Sequence, residues 1–404
     1  MKNLLLALVS ILAVLNTAPA QAQQTEPQPY WARSWYAAPL AATADRMPPP
    51  LNNTTVRQTV RVSLGGERFR LRLSNEFGDA PVRIGRATVF LIGDDGTPVA
   101  GSERDVKFDG RPGAVLPGGA PILSDPVDLD LPELSRLTVS LYLPDEVPQP
   151  TIHLLGLATG QVGPGDQASA PELTDAVTTT QRVLLSGVDV ERARPARVIV
   201  TLGDSITDGA NGTRDADRRW PDLLARRLQA AGLTDIAVAN AGISGNRILN
   251  PRAGLGVSAL ARFDRDVLAV PGATDVIILE GVNDIGMAWR DKDPHPPTAA
   301  DLIAGYRQMI ARAHARGLRV FLATILPYEG ANYWSEPGES ARQAVNTWIR
   351  SEGEADGVID FDLIMRDPAS PTRLAAAYDS GDRLHPNDAG FRAMADAIDL
   401  NLFR

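Results

Sequence analysis

The hydrophobic period of the chain changes once, near residues 193–196, and that change argues for two units of different architecture. From about residue 30 to 193, apolar and polar residues alternate. Phe69, Leu71 and Leu73 interleave with Arg68, Arg70 and Arg72, and Leu137, Val139, Leu141 and Leu143 interleave with Thr138, Ser140 and Tyr142. Alternation of period two describes strands that bury one face and wet the other. Turn residues recur between these runs, as in Asp94-Asp95-Gly96 and Pro117-Gly118-Gly119, with no convincing helical stretch. The expectation for residues 30–193 is an antiparallel all-β sandwich of jelly-roll type.

From residue 194 to 404 the apolar residues instead come in short, nearly continuous runs at 198–202, 236–239, 276–279, 320–323 and 358–361. Strands buried on both faces read this way. Helical patterns fall between and after them, at about 217–231, 257–269, 298–316, 337–351 and 388–400. Alternating strand and helix predicts a doubly wound α/β domain, whose chemistry belongs at the carboxyl ends of its strands. Two domains also suit 404 residues, a length beyond what one core usually organises.

The N-terminus has its own logic. Lys2 precedes an apolar run over residues 4–15, followed by Ala18-Pro19-Ala20 and Ala20-Gln21-Ala22. This is the order of a secretory signal peptide over residues 1–22, cleaved after Ala20 or Ala22, and the run is short for a membrane span. A polar lead-in, 23–29, follows, and no later segment resembles a transmembrane helix. The expected location is therefore secreted or periplasmic. The chain has no cysteine, which excludes disulfides and a thiolate nucleophile. Its net charge of −9 argues against a nucleic-acid partner. Four scattered histidines without cysteine make a zinc site improbable, and no cofactor is expected.

Four segments carry candidate chemistry. The first buried run enters Gly203-Asp204-Ser205-Ile206-Thr207-Asp208-Gly209, placing Ser205 at a strand end and a helix start. A serine there lies in the positive field of the helix N-terminus, although helix capping is an equally ordinary role for it. Thr207 stands where a Gly-x-Ser-x-Gly elbow needs its second glycine, so an α/β-hydrolase elbow is disfavoured. A serine nucleophile needs a base, usually a histidine oriented by a carboxylate. His153 lies in a sandwich strand pattern, His295 between prolines and His314 at a helix end, whereas Asp382-Arg383-Leu384-His385 precedes the final helix. Oxyanion donors could come from the Gly245 N–H in Gly242-Ile243-Ser244-Gly245-Asn246 and from the Asn283 amide in Gly281-Val282-Asn283-Asp284, both read as turns at strand ends.

In order and spacing these blocks resemble the SGNH, or GDSL, hydrolases over residues 194–404, with Ile206 in place of the leucine of the name-giving motif. Ala241-Gly242-Ile243-Ser244-Gly245-Asn246-Arg247 and Tyr378-Asp379-Ser380-Gly381-Asp382 are similar to a secreted bacterial subgroup that carries an N-terminal all-β domain. The resemblance implies a flavodoxin-like doubly wound parallel sheet and ester hydrolysis through an acyl-enzyme. It implies Ser205 as nucleophile, His385 as base and Asp382 as its orienter, with an oxyanion hole formed by Ser205, Gly245 and Asn283. An exported acidic protein with an accessory sandwich suits a carbohydrate O-deacetylase or short-chain esterase, acting on a small-molecule or polysaccharide ester. A lysophospholipase or lipase-type activity is the alternative, and a non-catalytic glycan-binding module the alternative of another class. Tyr30, Trp31, Trp35 and Tyr36 could stack on sugars or simply pack. The loops at 250–258 and 287–297 are expected to overhang the site.

Overall fold

The computed structural model describes residues 29–351 and 354–404. The expected signal peptide and residues 23–28 of the lead-in lie outside the described residues.

The alternating runs become the strands of two antiparallel sheets packed face to face. Among the described residues, one sheet is ordered Tyr30–Tyr36, Leu185–Arg192, Gly66–Ser74 and Val127–Leu131, with Pro121–Leu123 also paired to Gly66–Ser74. The other is ordered Val177–Thr179, Gly160–Pro164, Thr54–Arg61, Arg136–Leu143, Arg86–Ile92 and Arg104–Val106. In Gly66–Ser74 the alternation is realised as read, with Phe69, Leu71 and Leu73 buried between half-exposed arginines. Arg136–Leu143 differs, because Thr138 and Ser140 are buried too. The reason is Arg57 on the neighbouring strand, which bonds Ser140 Oγ at 2.8 Å and reaches the carbonyls of Gln167, Ala168, Ala170 and Pro171, drawing that segment across the sheet's outer face.

The continuous apolar runs become five parallel strands in the spatial order Ile236–Gly242, Arg197–Gly203, Ala273–Leu279, Arg319–Ala323 and Gly357–Ile359. This is the 2-1-3-4-5 order of flavodoxin-like sheets. Helices Trp220–Ala230 and Asp388–Ala397 cover one face, around Ile199, Ile277 and Phe321. Ala259–Phe263, Ala299–His314 and Glu336–Ser351 cover the other, around Val198, Val276 and Val320. The segment 282–290, read as a turn and loop, is a helix, Val282–Arg290. Gly281, at φ 111°, breaks the strand direction before it, and Gly286 gives the interior helix position the flat surface that the Tyr333 ring requires: a Cβ there would lie 2.1 Å from the ring.

The sandwich docks on the open edge of the parallel sheet. Ser63 Oγ lies 3.0 Å from Val238 N, whose N–H it accepts, and 3.1 Å from Val238 O, so a hydroxyl caps a stretch of edge strand that would otherwise present unpaired backbone. Trp35 and Tyr36 are buried at this junction and Trp31 lies under Arg70, so these three aromatics serve packing. Among the described residues no helix is long and apolar enough to cross a membrane.

The core of the sheet's other face makes a checkable claim. Trp220 is fully buried, edge-on to Phe361 at 5.6 Å between ring centroids. Trp220→Ala should lower unfolding free energy by about 3–5 kcal/mol, read from chemical denaturation midpoints. A loss below about 1 kcal/mol would mean that this face is not close-packed as described.

Candidate active site

Three strand ends and one loop converge on Ser205. The strand Arg197–Gly203 stops at Asp204, whose carboxylate accepts the Ile206 N–H at 2.9 Å and caps a four-residue helix, Ser205–Asp208. That helix ends at Gly209 in the left-handed region, φ 100°. Ser205 is therefore the first residue of a tight turn above the sheet and is only 7% exposed. Its Oγ lies 2.8 Å from His385 Nε2. His385 Nδ1 lies 2.6 Å from Asp382 Oδ2. A carboxylate only accepts, so Nδ1 carries a proton and, in the neutral ring, Nε2 presents its lone pair to the serine hydroxyl.

The histidine loop is held by its own polar groups. Asp382 Oδ1 accepts the backbone N–H of Leu384 at 3.0 Å and of His385 at 2.8 Å, and Oδ2 accepts Asn211 Nδ2 at 2.9 Å. Asp379 takes the N–H groups of Gly381 and Arg383, and Asn387 Nδ2 donates to the carbonyls of Ala377 and Asp379. Burial pushes the Asp382 carboxyl up, but the bonds from His385 and Leu384 outweigh it and hold the group well below the usual carboxylate range.

The two proposed donor segments meet. Ile243 N bonds Gly203 O at 2.9 Å, which fastens the Gly242–Asn246 turn to the strand that delivers Ser205. Gly245 has φ 78°, and a Cβ there would lie 2.7 Å from the Leu255 side chain, so only glycine leaves this backbone unobstructed. Asn283, buried in the first turn of its helix, donates from Nδ2 to Asn246 O at 3.1 Å, which uses one of its two amide hydrogens. Its Oδ1 accepts from Tyr333 Oη at 3.2 Å. These contacts fix which end of the amide is nitrogen. The structure thus joins Ser205, His385 and Asp382 in one hydrogen-bonded line and ties Gly245 to Asn283 through Asn246. His295 is exposed on its loop, and His314 pairs with Asp356 at 2.8 Å on the surface.

Sequence reasoning missed several members. Arg262 has no solvent exposure and bonds Ala241 O at 2.6 Å, Gly203 O at 3.0 Å and Asn246 Oδ1 at 2.9 Å, with Asp266 as its ion-pair partner at 3.1 Å and Glu280 Oε1 3.4 Å away. The readable signal was its place on the buried side of its helix, in register with Ala259, Phe263, Asp266 and Val267. Tyr333 and Asn211 sit on loops with no motif around them, and no sequence signal singled them out.

Residues 201–393 match the model of the GDSL-like lipase/acylhydrolase family. No curated protein matches the chain. Solved structures similar to it include an acetyl xylan esterase from Geobacillus stearothermophilus, 24% identical, TM-score 0.40, covering 51% of this chain and 94% of that one. A GDSL-like lipase from Bacteroides thetaiotaomicron is 20% identical, TM-score 0.39, covering 51% and 88%. An aryl esterase from M. smegmatis is 19% identical, TM-score 0.40, covering 50% and 96%.

Beneath the serine lies a group of buried acids. Burial, reinforced by the charges of Asp284 and Asp208, pushes the Asp204 carboxyl up to about 7 against the bond from Ile206 N and the charge of His385. Burial likewise pushes Asp284 up to about 6, although the N–H groups of Ile248 and Leu249 favour its charged form. Glu280 is raised as well, by burial and then by Asp204. A carboxyl with a raised folded pKa binds more protons folded than unfolded, so its contribution to stability falls as pH rises from about 4 to about 7. Asp204→Asn keeps a good helix cap and removes that titration. The variant's melting temperature should therefore decline less than the wild type's between pH 5 and pH 8; parallel declines would show that Asp204 does not titrate there.

Proposed function

We propose that the chain carries a GDSL-type ester-hydrolase domain, on the match of residues 201–393 to the GDSL-like lipase/acylhydrolase family, and that Ser205, His385 and Asp382 are its catalytic triad. The line from Ser205 Oγ to His385 Nε2 and from Nδ1 to Asp382 carries this reading. His385 takes the serine proton as Oγ attacks the ester carbonyl, and ionised Asp382 stabilises the imidazolium that forms. The Ser205 and Gly245 N–H groups and the second Asn283 amide hydrogen receive the oxyanion. The imidazolium returns its proton to the leaving alcohol. Water, activated by the same histidine, then releases the acyl group.

The substrate we propose is a short-chain acyl ester, most simply an acetyl group, on a polyhydroxylated alcohol such as a carbohydrate. Leu255 packs beside Gly245, where a Cβ would otherwise point, and an apolar side chain next to one proposed oxyanion donor suits a small acyl group. Asn211 and Ser380 supply polar groups beside Asp382 and His385, where the alcohol would leave. Export also belongs to the proposal, supported by the apolar run 4–15 and its small-residue sites; the N-terminus of protein recovered outside the cytoplasm should then follow Ala20 or Ala22.

Two measurements test this reading. Asn283→Ala should reduce kcat by about 100- to 1,000-fold with the circular dichroism spectrum unchanged, and wild-type turnover would remove Asn283 from the mechanism. The wild type should hydrolyse p-nitrophenyl acetate faster than the octanoate, and Leu255→Ala should raise the octanoate-to-acetate ratio of kcat/KM. A wild-type preference for octanoate would overturn the short-chain assignment in favour of a lipase-type substrate.

A further inference from the structure

His153 belongs to the sandwich, on the strand Thr151–His153, yet its ring is spent on the other domain. Nε2 lies 2.9 Å from Asp208 Oδ1 and 3.2 Å from Leu155 O, while Nδ1 lies 2.9 Å from Ala38 O. Both nitrogens face acceptors only, so both carry protons and the ring is an imidazolium. Burial and Arg219 oppose that charge, but Asp208 and the Ala38 carbonyl prevail, leaving the group above its ordinary value. The pair is almost fully buried, and removing one partner would strand the other.

Asp208 closes the helix that begins with Ser205 and uses its second oxygen on the donor turn. Oδ2 accepts Ser244 N at 2.9 Å and Ser244 Oγ at 2.8 Å. Ser244 is the residue before Gly245. One carboxylate therefore links a sandwich histidine, the nucleophile's helix and the backbone that presents the Gly245 N–H.

We infer that the sandwich domain is part of the catalytic apparatus: His153, acting through Asp208, is a positioning residue that fixes Ser244 and thereby aims the Gly245 N–H at the oxyanion. The inference rests on the assignment of Gly245 as an oxyanion donor. His153 touches no substrate and moves no proton in the reaction. With it removed, Asp208 is free to turn, and the donor turn gains freedom that the transition state, more than the ground state, must overcome.

The test uses the full chain with p-nitrophenyl acetate, and hydrogen exchange of peptides covering residues 242–247. In His153→Leu, kcat should fall by about 10- to 100-fold with KM within about twofold, and exchange across 242–247 should accelerate. His153→Gln, whose amide can still donate to Asp208, should recover most of the loss. A folded His153→Leu with wild-type kcat, or with kcat lost but exchange unchanged, overturns the inference. Where His153→Leu fails to fold, Ser244→Ala decides, because it removes the hydroxyl bond without disturbing the interface: a fall in kcat of about 3- to 10-fold at constant KM is expected, and wild-type kcat overturns the inference. If the wild type itself hydrolyses no ester, the functional reading fails, and exchange in the donor turn alone decides whether His153 holds it.

Discussion

The guanidinium of Arg262 is the interaction on which the geometry around Ser205 depends. Strand ends in a doubly wound sheet diverge, and their last carbonyls need further anchoring. Arg262 gathers them. It donates to Gly203 O at the end of the serine strand, to Ala241 O on the next strand, and to the Asn246 side chain, whose own amide holds the carbonyls of Leu255 and Val257. A rigid planar fork with five N–H groups can satisfy that many acceptors in fixed directions, which a lysine could not. The desolvation of so buried a cation is offset by Asp266, which is in turn bonded by Tyr36 of the sandwich.

That last bond is one of several that tie the sandwich to the frame around the site. Tyr36 reaches Asp266 on the helix that carries Arg262, Ser63 caps the edge strand, and His153 reaches the carboxylate that carries Ser244. Each contact ends on a backbone group or a buried charge rather than on a mobile surface side chain. Arg46 adds a fourth, donating to Gly254 O in the loop that brings Leu255 over Gly245. The sandwich thus reaches the turn at 242–246 through Asp208 and the loop at 250–258 directly, at Gly254.

How much of this was legible follows from which interactions are local. The five apolar runs gave the parallel strands because burial on both faces leaves a pattern within each run. Ser205 and the Asp382–His385 pair were readable because a strand end and a three-residue spacing are local facts. The helix Val282–Arg290 was not, because Asn283, Asp284 and Gly286 read as turn residues; the helix is stabilised by the Tyr333 ring over Gly286, a contact 47 positions away in sequence. His153 looked like a core histidine, and so it is, but its partner is 55 residues distant. The buried Thr138 and Ser140 misled for the same reason, since Arg57 and the segment it draws over them come from elsewhere in the chain.

The acids beneath the serine complete the argument about charge. In the proposed mechanism a tetrahedral oxyanion forms at Ser205, in a site that also holds the buried acids Asp204, Glu280 and Asp284. If all three were ionised, their field would oppose the negative charge that the proposed donors receive. Burial raises all three, so they favour the neutral form over the acidic range, while Asp382 stays ionised because His385 and two backbone N–H groups bond its charged form. Carboxyls of one kind thus do opposite work according to their surroundings. Asp382 faces the imidazole that becomes positive in the proposed mechanism, whereas burial shifts Asp204, Glu280 and Asp284 toward their neutral forms beside an oxygen that becomes negative.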